Sequence, residues 1–210
     1  IISDVIDNNL SDIASGPAWY DPSTFEEALG VLERTGLTST APCSITKVLE
    51  EGVAGLREET LKKSDRILKN SRAFIIGDNL KALYAAKAEV RASGLESVIL
   101  TSSDVGEARQ VATSYIQRIK ELSRKVREEG RAFCFLSGGE LTVTVKGSGR
   151  GGRNTEFVLA CLLEMEKIRA ELVGCDWLIV SLATDGRDGP TDSAGAWISG
   201  QSGQLAENAG

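Results

Sequence analysis

The residues of this chain that could do chemistry gather in two places. The first is "GSGRGGRN", residues 147–154, which sets Arg150 and Arg153 among Gly147, Gly149, Gly151 and Gly152. The second is "TDGRDGPTD", residues 184–192, which packs Asp185, Asp188 and Asp192 between glycines and a proline. Glycines let successive backbone N–H groups turn toward an anion, and a helix starting near Asn154 would aim its N-terminus the same way. Two guanidiniums can grip phosphate or carboxylate oxygens bidentately. Clustered carboxylates at a strand end suit Mg²⁺, which takes a few oxygens and keeps its waters. Phosphoryl transfer, which rests on positioning and charge neutralisation, needs both.

Composition narrows the chemistry further. The 210 residues include no histidine, which removes the Ser-His-Asp triad, a histidine base and most zinc sites. Cys43, Cys134, Cys161 and Cys175 form no CxxC pair. The last three lie in apolar patterns and read as core thiols, so a reducing, cytoplasmic compartment is expected. A net charge of −6 argues against nucleic acid as a partner. No run approaches the roughly 20 apolar residues of a membrane span, and the first residues do not read as a signal peptide.

Both glycine motifs that the first cluster approaches are incomplete. Gly147, Gly149 and Gly152 satisfy G-x-G-x-x-G, but the next strand ends at Asp185, well past the roughly 20 residues at which a ribose-binding acid is expected. Gly147 and Gly152 also have P-loop spacing, yet Arg153 and Asn154 replace the lysine and hydroxyl of that loop. The competing reading is a surface turn with solvated arginines. For the aspartates it is a pair of Asp-Gly turns with an Asp capping the next segment. Three further strand-end loops carry small polar residues: Ser137, Gly138, Gly139 and Glu140; Asn79 after "AFIIG"; and Asp4 with Ser15 and Gly16.

The elements that must position these residues alternate between strand and helix. "IISDV" reads as a buried parallel strand already under way, which implies a fragment. "DPSTFEEALGVLERTG" is a helix capped by Ser23 or Thr24 and stopped by Gly36, and "SITKVLEEGV" is a second. The charged stretch 56–70 reads as a linker. Then come strand "AFIIG", helix "NLKALYAAKAEVRASG", strand "SVILTS", helix "EARQVATSYIQRIKELSRKVREEG", strand "AFCFLS" and strand "ELTVTVKG". Helix "TEFVLACLLEMEKIRAEL" and strand "DWLIVSLAT" complete the order. Such alternation predicts a mostly parallel sheet covered by helices.

"ISDV", "IASGP", "DPSTFEEAL", "IIGDN", "SGGELTVTVKG", "GGRNTEF" and "TDGRDGPTDSAGA" together, in this order, resemble the glycerate 2-kinases that carry a MOFRL domain, many formerly labelled hydroxypyruvate reductases. The resemblance runs through essentially the whole chain. It implies an α/β protein with a Rossmann-like N-terminal domain, of which residues 1–68 are the last part. A mixed α/β C-terminal domain follows over 69–210 with its MOFRL core at 131–210, and the active site lies in the cleft between the two domains. The implied reaction takes ATP and D-glycerate to ADP and 2-phosphoglycerate, with Mg²⁺. On the matching positions, Arg153 is the catalytic cation and Asp185 a metal-binding or base-like acid, with Asp188 and Asp192 as further metal ligands. The implied substrate- and nucleotide-binding set is Asp4, Ser15, Gly16, Asn79, Ser137, Gly138, Gly139, Glu140, Gly149, Arg150, Gly151, Gly152 and Asn154.

This sequence departs from the family pattern at Asp7 and Asn8, where a glycine and an acid are usual, at Ala183 in place of glycine and at Ser193 in place of alanine. The family's N-terminal part, with its glycine-rich segment and active-site lysine, and its final segment after the MOFRL core are expected to be missing, so this chain alone is expected to lack turnover. Two other functions remain as expectations: an NAD(P)H-linked hydroxypyruvate reductase, and a non-catalytic anion- or nucleotide-binding module. The expected partner is a small molecule, with neither nucleic acid nor membrane, in a monomer or homodimer.

Overall fold

Helix α1 (Phe25–Arg34) begins where the sequence signals a start. The Thr24 hydroxyl accepts from the Glu27 N–H at 3.2 Å, and the Glu27 carboxylate accepts from the Thr24 N–H at 2.9 Å. This reciprocal box satisfies two N–H groups that an α-helix leaves orphaned. Helix α2 (Cys43–Val53) packs against α1. The computed structural model describes residues 3, 5–17 and 19–209, and it divides into two units, 1–76 and 77–210. Among the described residues the first unit holds α1, α2 and short 3₁₀ turns, with no strand. The expected strand at "IISDV" falls largely outside the described residues. Asp7 adopts φ 65°, the left-handed region that glycine favours and aspartate tolerates, which accounts for the family's usual glycine there.

The second unit carries α3 (Asn79–Ala92), β1 (Glu96–Glu107), α4 (Ala108–Glu129), β2 (Phe133–Thr142), α5 (Arg153–Lys167), β3 (Leu178–Leu182), β4 (Gly195–Ser199) and α6 (Ser202–Ala209). β1 and β2 pair in parallel across α4, whereas β3 and β4 form a separate antiparallel pair. The architecture is mixed α/β with a parallel pair, and the core joins its layers. Ala112 and Ile116 of α4 meet Val158, Cys161 and Met165 of α5, with Ile198 of β4 packed against them. Those α5 positions recur at three- and four-residue spacing, the apolar stripe of a helix that buries one face.

Two expected strands need correction. Residues 71–78 hold no regular structure, and Phe74 and Ile76 are exposed, so "AFIIG" has no strand partner. "AFCFLS" and the start of "ELTVTVKG" form the single strand β2, which ends at Thr142. β4 was not expected at all.

Candidate functional site

The β1–β2 pairing slips twice, between Ile99 and Thr101 and between Thr101 and Asp104, which brings Asp104 opposite Gly139. Such irregularities re-aim side chains. A Cβ on Gly139 would lie 2.2 Å from the Asp104 carbonyl oxygen, and one on Gly138 would lie 2.4 Å from the Asn79 side chain. The glycine pair of "SGGE" is therefore required by close packing. Asn79 in turn donates to the Ser102 carbonyl at 2.6 Å.

Asp104, Tyr115 and Ser137 form a closed triangle. The Ser137 hydroxyl donates to Asp104 Oδ2 at 3.0 Å, and the Tyr115 hydroxyl bonds both Asp104 Oδ2 and Ser137 Oγ. Burial raises the Tyr115 phenol above its ordinary pKa, and its bond to Asp104 raises it further. The Tyr115 ring stands edge-on to Phe157 of α5, centroids 5.6 Å apart. The sequence reading missed Asp104 and Tyr115. Asp104 lies beyond the expected strand "SVILTS", in the polar second half of β1.

The triangle opens onto a cavity of about 600 Å³ within the second unit, whose wall also includes Arg153, Asn154 and Ser181 and, further along, Phe135 and Trp177. Arg153 is held by Glu140 at 2.6 Å, both half-buried. Ser137, Gly138, Gly139, Arg153 and Asn154 thus all line this cavity, with Glu140 paired to Arg153 and Asn79 packed against Gly138.

The second cluster behaves differently from expectation. Asp188 is 1% exposed, and its carboxylate caps α5. Oδ1 accepts from the Asn154 N–H at 2.9 Å and the Asn154 side chain at 3.0 Å, while Oδ2 accepts from the Thr155 N–H at 2.8 Å. Burial alone would raise the Asp188 pKa, but these bonds hold it below the ordinary value. The anion at this helix N-terminus is the protein's own. Three of the roughly four acceptor sites of the Asp188 carboxylate are taken by α5, so the contacts it makes here are those of a helix cap. Gly152 permits the cap, since a Cβ there would lie 2.4 Å from Asp188 Cγ. Arg150 donates to the Pro190 carbonyl at 2.8 Å, so the two loops touch directly. Gly149 and Gly151 lie in the exposed connection before α5.

Asp185 is exposed and accepts from the Arg187 N–H at 3.2 Å. Asp192 is exposed and stands 3.8 Å from Arg187. Among the described residues, no group of three or more His, Cys, Asp or Glu side chains is placed to hold a metal ion. Ser15 and Gly16 form a left-handed turn in the first unit, and Asp4 lies outside the described residues. Among the described residues no helix is long and apolar enough to cross a membrane.

Residues 133–210 match the MOFRL family, and residues 1–50 match a domain of unknown function (DUF4147). These matches define a MOFRL-domain protein. The glycerate 2-kinase of Pyrococcus horikoshii is 36% identical over 201 residues, covering 95% of this chain and 43% of its own. Human glycerate kinase is 31% identical over 94% of this chain and 43% of its own. The crystal structure of glycerate kinase from Thermotoga maritima superposes with a TM-score of 0.73 at 34% identity, over 99% of this chain and 46% of that one. The chain belongs to the MOFRL-bearing glycerate 2-kinase family, and it spans about half the length of the curated relatives it matches.

Proposed function

We propose that this chain is the MOFRL-bearing part of an ATP-dependent kinase that phosphorylates D-glycerate to 2-phosphoglycerate. The observation that carries the reading is Arg153, fixed by Glu140 at the polar end of the cavity. A guanidinium preset in this way neutralises charge on a transferring phosphoryl without reorganising. The names of the relatives support ATP as the donor and a small hydroxy acid as the acceptor.

Mg²⁺ fits this donor set as an ion delivered with the nucleotide. With most acceptor sites of Asp188 taken by α5, exposed Asp185 is the loop carboxylate that would hold it, with nucleotide phosphates and water as the further oxygen donors. The bound ion would neutralise the β- and γ-phosphate oxygens. The free thiol of exposed Cys43 supports a reducing, cytoplasmic setting. The reductase alternative loses support because the helix N-terminus that would receive a pyrophosphate already holds the Asp188 carboxylate.

The test is a coupled assay of the full-length protein with ATP, Mg²⁺ and a panel of small hydroxy acids. ADP release that depends on glycerate is expected. No ATP consumption with any hydroxy acid, or rapid NADH oxidation with hydroxypyruvate, refutes the proposal.

A further inference from the structure

Three contacts close the triangle of Asp104, Tyr115 and Ser137, yet its members own only two hydroxyl protons. A carboxylate accepts and cannot donate. Tyr115 keeps its proton at neutral pH because burial and Asp104 raise its pKa. Two protons serve at most two of the three contacts, and the arrangement with the most hydrogen bonds engages both protons internally. What remains for the cavity is a wall of oxygen lone pairs. Arg153, which only donates, lines the same cavity. The lining of the cavity thus offers both oxygen acceptors and a cation.

We propose that Asp104, Tyr115 and Ser137 form a subsite that binds an alcohol hydroxyl of the ligand as a hydrogen-bond donor and rejects phosphate or carboxylate at that position. An anionic oxygen placed there would meet lone pairs and a negative charge, whereas a hydroxyl supplies the missing proton. An anionic group of the same ligand belongs at the Arg153 end. The inference rests on the hydroxy-acid kinase reading and assigns the group that recognises the hydroxyl. Two ligands carry such a hydroxyl: the hydroxy acid itself, and the ribose of the nucleotide.

The experiment is calorimetric titration of the full-length protein and its Asp104→Asn, Tyr115→Phe and Ser137→Ala variants. The probes are D-glycerate against propionate, which lacks both hydroxyls, and adenosine against 2′,3′-dideoxyadenosine. Asp104→Asn keeps the side-chain shape while placing N–H donors in the acceptor wall. For one pair, the wild type is expected to prefer the hydroxylated ligand and the variants to lose that preference by about tenfold or more. Propionate, and dideoxyadenosine without its 2′- and 3′-hydroxyls, should bind all four proteins alike, which also shows that they are folded. Loss with glycerate assigns the subsite to the acid, and loss with adenosine assigns it to the ribose. Unchanged ratios for both pairs, or a wild type that discriminates neither, overturn the proposal. Hydroxyl discrimination without ATP-dependent phosphorylation would sink the kinase reading and leave the subsite standing.

Discussion

Asp188 grips Asn154 twice, through its backbone N–H at 2.9 Å and its side-chain amide at 3.0 Å. With the Thr155 N–H on the other oxygen, the carboxylate does the work of a helix cap from a loop far along the chain. Its removal leaves half-buried donors without a partner. Asp188→Ala is expected to lower unfolding free energy by about 3 kcal/mol, read from urea denaturation. A loss below about 0.5 kcal/mol would mean that the cap contributes little.

The same carboxylate sets an acid limit. Its folded pKa lies below the ordinary 3.8. The stability that it contributes is therefore complete above the unfolded-state value and is lost as pH falls through the folded value. The urea midpoints of wild type and Asp188→Asn should stand apart at pH 7 and converge below about pH 4. A gap that persists unchanged to pH 2 contradicts this assignment.

Gly152 is close to irreplaceable. A Cβ would lie 2.4 Å from Asp188 Cγ, so Gly152→Ala must displace the cap or the helix start. The expected cost is about 2 kcal/mol or more. In the same assay Gly149→Ala, where a Cβ would meet nothing, should be near neutral.

Arg153 should separate activity from stability. Its pair with Glu140 is partly solvated, and such pairs contribute about 1 kcal/mol or less. In the full-length protein, Arg153→Ala is expected to lower kcat about 100-fold or more while shifting Tm by only a few degrees. Retained turnover would remove Arg153 from the proposed chemistry.

Local signals carried much of the fold. Thr24 and Glu27, three residues apart, announce the start of α1, and Val158, Cys161 and Met165 announce the buried face of α5. Strands were harder because their stability depends on partners that a short apolar run does not name. "AFIIG" has strand composition and no partner, whereas β4, beginning at a glycine, has weak composition and pairs with β3 through Trp197 and Val180. The site divides in the same way. Arg153 and the glycines of "SGGE" were candidates in the sequence, and the structure lines one cavity with them. Asp188 was read as a metal ligand because nothing local shows that its partners lie on α5. Asp104 and Tyr115 were missed because a strand and the following helix must pack before the two side chains meet.

The Asp188 cap also orders events during folding. Residues 154 and 188 are 34 positions apart, so the first turn of α5 cannot be completed by anything in its own neighbourhood. Helix interior and core stripe can assemble early, but the amides of Asn154 and Thr155 stay open to solvent until β3 and the loop after it arrive. In pulsed hydrogen exchange these two amides should gain protection later than that of Val158, so this loop couples the start of α5 to the arrival of a distant segment.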